Sequence, residues 1–222
     1  MAYRRTDRVA RHLAARQNAI VAAARALAAE AGMAMVQIVP VAERVGIAAG
    51  TVYRYFPAKI DLVRALVAAV TEREIGAMRR AADAAPGPLS ALAAALTTFA
   101  ARAVRNRRLT WAMLGEPVDA QVDAVQLDYR TALAAELEAR IRVALARGHL
   151  PKLDPILASA ALVGALLEAL FGPLAPVPSD APGKAREAVQ MLTLLSLRAL
   201  GITDALARGL VVQSAWPAEE GA

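Results

Sequence analysis

The chain has 222 residues, 57% of them hydrophobic and 21% charged, with no cysteine and a formal net charge of +6. That length leaves room for one large domain or two small ones with ample core. The lack of cysteine excludes disulfides and thiol chemistry and fits a reducing compartment. Alanine and leucine dominate, aromatics are 4% and β-branched runs are scarce, which predicts an all-α fold.

In chain order the pattern predicts about nine helices. The first runs from Asp7 to Ala31, with Ile20, Ala23, Ala24, Leu27 and Ala31 at helical spacing, and Gly32 ends it. Ahead of it Arg4, Arg5, Arg8 and Arg11 break up any apolar core a signal peptide would need. The second helix covers about Ile38 to Val45 and the third about Ala49 to Tyr55, with Gly46 supplying a positive-φ turn between them. A fourth runs from Lys59 to about Ala85, where Pro86-Gly87-Pro88 breaks it, and a fifth from Leu89 to Arg105. A short sixth holds Trp111 and Met113 before Glu116-Pro117, and the seventh runs from Asp119 to Arg147, ahead of Gly148. The eighth spans Pro155 to Phe171. A loop with Pro176, Pro178 and Pro182 follows, and the ninth helix reaches Leu200, where Gly201 stops it.

Charge is distributed unevenly along this string. Residues 1–60 carry nine basic and three acidic side chains, so the whole excess of +6 sits there and the remainder sums to zero. Such an asymmetry is the electrostatic footprint of a polyanionic partner. Two helices as short as the second and third cannot bury their apolar sides alone and must lean on neighbours. Their outer side then presents hydroxyls and an arginine, as a helix that reads DNA requires.

The residues that carry a family likeness are Gly32, Val41-Ala42, Gly46-Ile47 and the run Thr51-Val52-Tyr53-Arg54-Tyr55-Phe56-Pro57-Ala58-Lys59. In that register they resemble the TetR family of transcriptional repressors, over roughly the first quarter of the chain. The resemblance implies a helix-turn-helix domain over residues 1–60 and an effector-binding and dimerisation domain over 61–222. It places Tyr53, Tyr55 and Lys59 on DNA phosphates, contacts that position without reading sequence. Tyr53 has a second reading as a core residue, and Phe56 reads as core. Thr51 can reach a phosphate or a base edge. Gly50 and Ala49 allow close approach, and the Ala49 methyl can pack on thymine. Arg54 is the base reader, because guanidinium pairs bidentately with guanine O6 and N7. The sequence departs from the family at Gln37, in place of a capping Thr or Ser, at Pro40, and at Ala48-Ala49, which leaves the reading helix without a side-chain cap. The arginines Arg4, Arg5 and Arg8 form either a minor-groove arm or a tail that only raises local affinity.

Beyond the first quarter the likeness is looser. Helices five to eight offer Phe99, Trp111, Met113, Leu114, Tyr129 and Leu133 as the lining of a small-molecule pocket, with Arg105 and Arg108 at its mouth for an anionic head group. The six apolar residues read individually as core before ligand contact, and an exposed helix end explains the arginines equally well. The eighth helix is apolar almost all round, so it is read as buried between two subunits rather than as a membrane span, with Leu162, Leu166, Leu170, Leu192 and Leu195 at the interface. No motif of catalysis occurs, and the one local acidic group, Glu116, Asp119 and Asp123, reads as a solvated helix start rather than a cation site. No metal and no cofactor is expected.

The sequence thus predicts a cytoplasmic, homodimeric repressor that binds a palindromic double-stranded DNA operator, leaves it on binding a mostly apolar effector, and contacts no membrane. Two other classes stay open: a ligand-independent architectural DNA binder, and a helical enzyme or carrier with a vestigial DNA module.

Overall fold

The computed structural model describes residues 2–177, 181 and 183–216, and side chains from residue 10 onward. Among the described residues the secondary structure is wholly helical, with no strand. Ten α-helices follow one another: α1 (Ala2–Ala31), α2 (Ile38–Val45), α3 (Ala49–Tyr55), α4 (Lys59–Asp83), α5 (Pro88–Arg105), α6 (Arg107–Leu114), α7 (Ala120–Ala146), α8 (Pro155–Phe171), α9 (Lys184–Ala199) and α10 (Asp204–Gln213). A 3₁₀ turn, Met33–Met35, joins α1 to α2.

Two of the expected boundaries need correction. The first helix begins at Ala2, so Arg4, Arg5 and Arg8 belong to its opening turns rather than to an arm ahead of it; their side chains lie outside the described residues. The chain also does not end its helices at Gly201. That glycine, at φ +85°, only turns the chain, and α10 follows after Thr203 with Ala207, Leu210 and Val211 buried. In the loop before α9, Pro176 is described, whereas Pro178 and Pro182 lie outside the described residues.

The chain forms two compact units, one of Met1–Val70 with Arg108–Tyr129, the other of Thr71–Arg107 with Arg130–Ala222. In the first, α1 packs on α2 and α2 on α3. Its core is built from Ile20, Ala24, Ala28, Met33, Val41, Val52, Phe56 and Leu66, all buried. Buried positions recur at helical spacing on α1 and on α4, where Leu62, Val63, Val67 and Val70 join Leu66, whereas α2 supplies three and α3 one. Short helices therefore depend on the longer ones for their order. The expected domain of residues 1–60 falls wholly inside this unit, to which a later stretch of chain is added.

In the second unit α5 is central and packs on α8, α9 and α10. Leu92, Ala93, Ala95, Leu96, Phe99, Ala100, Ala101 and Ala103 of α5 are all buried, because a helix of small residues admits neighbours on every side. Its polar residues are partnered within the unit. The Thr97 and Thr193 hydroxyls meet at 3.3 Å, and Arg102 grips Glu74 of α4 through two bonds of 2.6 and 3.0 Å. Glu136 of α7, 4% exposed, takes Arg79 at 2.7 Å and Arg140 at 2.8 Å. Asp154 caps α8 by accepting from the Ile156 and Leu157 amides, with Pro155 at the first helical position.

The eighth helix is not buried all round. Ser159, Leu162, Val163, Leu166 and Leu170 face inward, while Ile156 and Leu157 are 60% and 69% exposed. Among the described residues no helix is long and apolar enough to cross a membrane.

Candidate nucleic-acid interface

The turn between α2 and α3 shows why glycine stands there. Gly46 sits at φ +72°, ψ +39°, a left-handed conformation that costs other residues about 1 kcal/mol or more. Its amide donates to the Glu43 carbonyl at 3.1 Å and the Ile47 amide to the Ala42 carbonyl at 3.0 Å, closing the end of α2. Helix α3 then leaves with Val52 fully buried beneath it, and Phe56, 3% exposed, seals its far end. The opposite side of α3 holds Gly50, Tyr53 and Arg54, all exposed, with Ala49, Thr51 and Tyr55 half-buried beside them. Tyr53 is 51% exposed, which removes its reading as a core residue. Lys59, half-buried, is the first residue of α4. The side chains of α3 and the first residue of α4 thus bring two phenols, a guanidinium and an ammonium to the first unit.

The departures noted in the sequence have structural counterparts. Gln37 and Ala48 occupy the N-cap positions of α2 and α3 in extended conformation, and neither makes a side-chain cap bond. Gln37 instead turns back to donate from Nε2 to the Ala34 carbonyl at 2.9 Å. Pro40 is the third residue of α2, within the first turn, where its missing N–H leaves no helical bond broken.

Residues 20–66, which contain this whole arrangement, match the family model of the bacterial regulatory proteins of the tetR family. That likeness to the TetR family is carried by the segment that holds α2 and α3. It is similar to the HTH-type transcriptional repressor KstR of Mycolicibacterium smegmatis, at 37% identity over 98 residues, which are 44% of this chain and 48% of that repressor. The alignment therefore spans about half the length of this relative. Over nearly the whole chain the fold resembles that of RolR solved with resorcinol, at TM-score 0.67 and 23% identity, covering 95% of this chain and 98% of that one. It also resembles FadR from Bacillus subtilis in complex with stearoyl-CoA, at TM-score 0.62 and 18% identity, covering 89% and 98%. At these identities the likeness establishes the TetR fold.

The residues expected to line an effector pocket fall in both compact units. Arg108, Trp111, Met113, Leu114 and Tyr129 belong to the first, and Phe99, Arg105 and Leu133 to the second, so neither unit holds the eight as one lining. Phe99, Met113, Leu114, Tyr129 and Leu133 are buried and Trp111 is half-buried against Gly115. The two arginines expected at a pocket mouth are engaged elsewhere. The Arg105 guanidinium lies 5.1 Å from the ring centre of Trp216, and Arg108 bonds the Ala31 carbonyl and Glu116. The second unit contains a cavity of about 330 Å³ that includes Val104, Arg107, Leu170, Lys184, Glu187 and Met191 in its lining, with none of the eight expected residues.

The TetR-type interface leucines also need correction. Leu162, Leu166, Leu170 and Leu192 are already buried within the single chain, and of the five only Leu195, 60% exposed, points outward. Asp119, from the local acidic group, caps α7 by accepting from the Gln121 and Val122 amides. Among the described residues no three His, Cys, Asp or Glu side chains cluster as a metal site would need.

Proposed function

We propose that the chain is a cytoplasmic, homodimeric, DNA-binding transcriptional repressor and not an enzyme, and that it leaves a palindromic operator when a small, mostly apolar effector binds. Residues 1–60 read the DNA, and residues 61–222 dimerise and bind the effector. The observation that carries this reading is the exposed face of α3, with Tyr53 and Arg54 outward, on the segment that holds the chain's entire charge excess. Arg54 reads a base edge, while Tyr53, Tyr55 and Lys59 hold phosphates and Thr51, Ala49, Gly50 and Gln37 lie against the backbone or bases. The likeness to KstR, a transcriptional repressor, supports the regulatory part. The aromatic ring of resorcinol, solved with RolR, and the stearoyl chain of stearoyl-CoA, solved with FadR, support a ligand with an apolar body.

Dimerisation uses the outward faces of α8 and α9. On α8 Leu157, Ala160, Ala161 and Gly164 are exposed one turn apart, and on α9 Ala188, Met191, Leu195 and Ala199 do the same. Small residues let a second helix come close, and Leu195 with Met191 supplies the apolar area. The mechanism is a population shift: effector favours a separation of the two reading helices that no longer matches successive major grooves.

The deciding experiment is selection of bound DNA from a random-sequence library, followed by shift assays at graded salt. Enrichment of one palindromic sequence, bound at least a thousandfold more tightly than bulk DNA (on the order of the usual specific ratio), supports the repressor. Uniform binding to all sequences would favour the architectural alternative.

A further inference from the structure

The junction between α1 and α2 is held by side chains from a distant part of the sequence. Gly32, at φ +92°, is buried, and a Cβ added there would fall on the Arg108 guanidinium and the Glu116 carboxylate. Arg108 donates from Nη2 to the carbonyl of Ala31, the last residue of α1, at 2.8 Å, and to Glu116 Oε1 at 3.2 Å. Glu116 in turn accepts at Oε2 from the Met33 amide, the first of the 3₁₀ turn, at 2.9 Å. One ion pair therefore satisfies a carbonyl that α1 leaves open and an amide that the next turn leaves open, on either side of a glycine that makes room for it. The pair is itself anchored. Gln126, 2% exposed, donates from Nε2 to the Glu116 carbonyl at 2.9 Å and the Ala112 carbonyl at 3.0 Å, tying α7 to the end of α6.

We infer that Arg108 and Glu116 are positioning residues for the reading helix, so that the DNA-binding unit is complete only with the corner between α6 and α7. This rests on the DNA-binding reading above. The 3₁₀ turn leads directly into α2, whose N-cap Gln37 makes no cap bond of its own, so the direction in which α2 and α3 leave α1 depends on how the junction is held. Neither residue belongs to the group expected to touch DNA. Their contribution is to angle, and it is expressed as selectivity between DNA sequences rather than as affinity for phosphate.

The test uses the full chain and the sequence that the wild type enriches from a random library. Arg108→Ala and Glu116→Ala should each weaken that sequence on the order of tenfold, comparable to a mismatched base pair. Binding to bulk DNA and the slope of log K against log salt should stay unchanged, because no phosphate contact is lost. Glu116→Gln keeps an acceptor for the Met33 amide and Arg108→Lys keeps a donor for the Ala31 carbonyl, so both should recover most of the loss. The exchange of Arg for Glu in the double variant R108E/E116R restores the ion pair but reverses both backbone bonds, and it should not recover. Hydrogen exchange of the Met33 amide, measured without DNA, should quicken in both alanine variants. Selective and bulk binding falling together would overturn the assignment, since that is the signature of a smaller folded fraction; so would alanine variants that select as the wild type does. A wild-type chain that enriches no sequence would instead sink the DNA-binding reading itself.

Discussion

The two compact units keep order by different means. In the first, short helices are oriented by side chains that bond to backbone at helix ends, as Arg108, Glu116 and Gln126 do, and the exposed residues of α3 are left clear. In the second, a buried small-residue helix is gripped by neighbours, and the charge buried on it is partnered, Arg102 with Glu74. The contrast teaches where each tolerates change. A unit ordered by end contacts can lose a side chain and change direction without unfolding, whereas a unit ordered by core packing loses stability.

Arg102→Ala should produce the largest effect. It leaves the Glu74 carboxylate, whose side chain is 16% exposed, facing a void, and removal of one partner from such a pair typically costs about 3–5 kcal/mol. Thermal unfolding should show a drop of many degrees, with the Tm of Arg108→Ala falling far less. Equal drops would erase the distinction between the units.

A comparable but differently expressed effect is expected from the leucines of the second unit. Leu166→Glu, at a position 1% exposed, should give a chain that does not fold, whereas Leu195→Glu, at a position 60% exposed, should give a folded monomer. Sedimentation and circular dichroism separate the two outcomes. A dimeric Leu195→Glu protein would remove α9 from the interface.

On the first unit, Arg54→Ala should cost roughly 1–3 kcal/mol on the selected operator and relax preference at one base position. Lys59→Ala should weaken all sequences alike and lower the salt slope by about one. Shift assays at graded salt measure both, and an unchanged preference in Arg54→Ala would show that the base reader lies elsewhere on α3.

The smallest effect concerns the exposed pair Glu30 and Arg44, which links α1 to the last turn of α2 through two bonds of 2.6 Å. The hydrogen bond from Arg44 holds the Glu30 carboxyl below the usual carboxylate range. A lowered folded value means that the stabilisation is fully present above the ordinary carboxylate pKa and is lost as pH falls through the lowered one. The Tm gap between wild type and Glu30→Gln should therefore be small at neutral pH, close on acidification, and shrink in high salt. A gap that persists in acid would assign it to something other than this charge.

Much of this was legible in the sequence, and the exceptions share a cause. The turn at Gly46, the breaks at Pro86-Gly87-Pro88 and Glu116-Pro117 and the helices between them follow from local residues, and α3 lies where the Thr51-to-Lys59 run puts it. Helix α10 was hidden because Gly201 carries the same local signal whether a chain stops or only turns. The burial of α5 was hard to read because Thr97 and Arg102 interrupt its apolar run, although their partners lie on other helices. Arg108 read as a pocket mouth because its true partners are 77 residues away at Ala31 and at a glutamate eight residues on, and no spacing rule links those. Leu162 and Leu166 read as interface because hydropathy reports that a residue is covered, not by what.

The missing caps at Gln37 and Ala48 have a thermal consequence. Helices of eight and seven residues without side-chain N-cap bonds lean on the burial of Ile38, Val41, Ala42, Val52 and Phe56. Burial of that kind has a strong heat-capacity signature and weakens on cooling. Amides of the reading helix should therefore exchange faster than those in the middle of α1 and α4, and any duplex that holds it still must supply the entropy of that ordering. Calorimetry across a temperature series would record it as a negative heat-capacity change larger than the protein–DNA contact area alone accounts for.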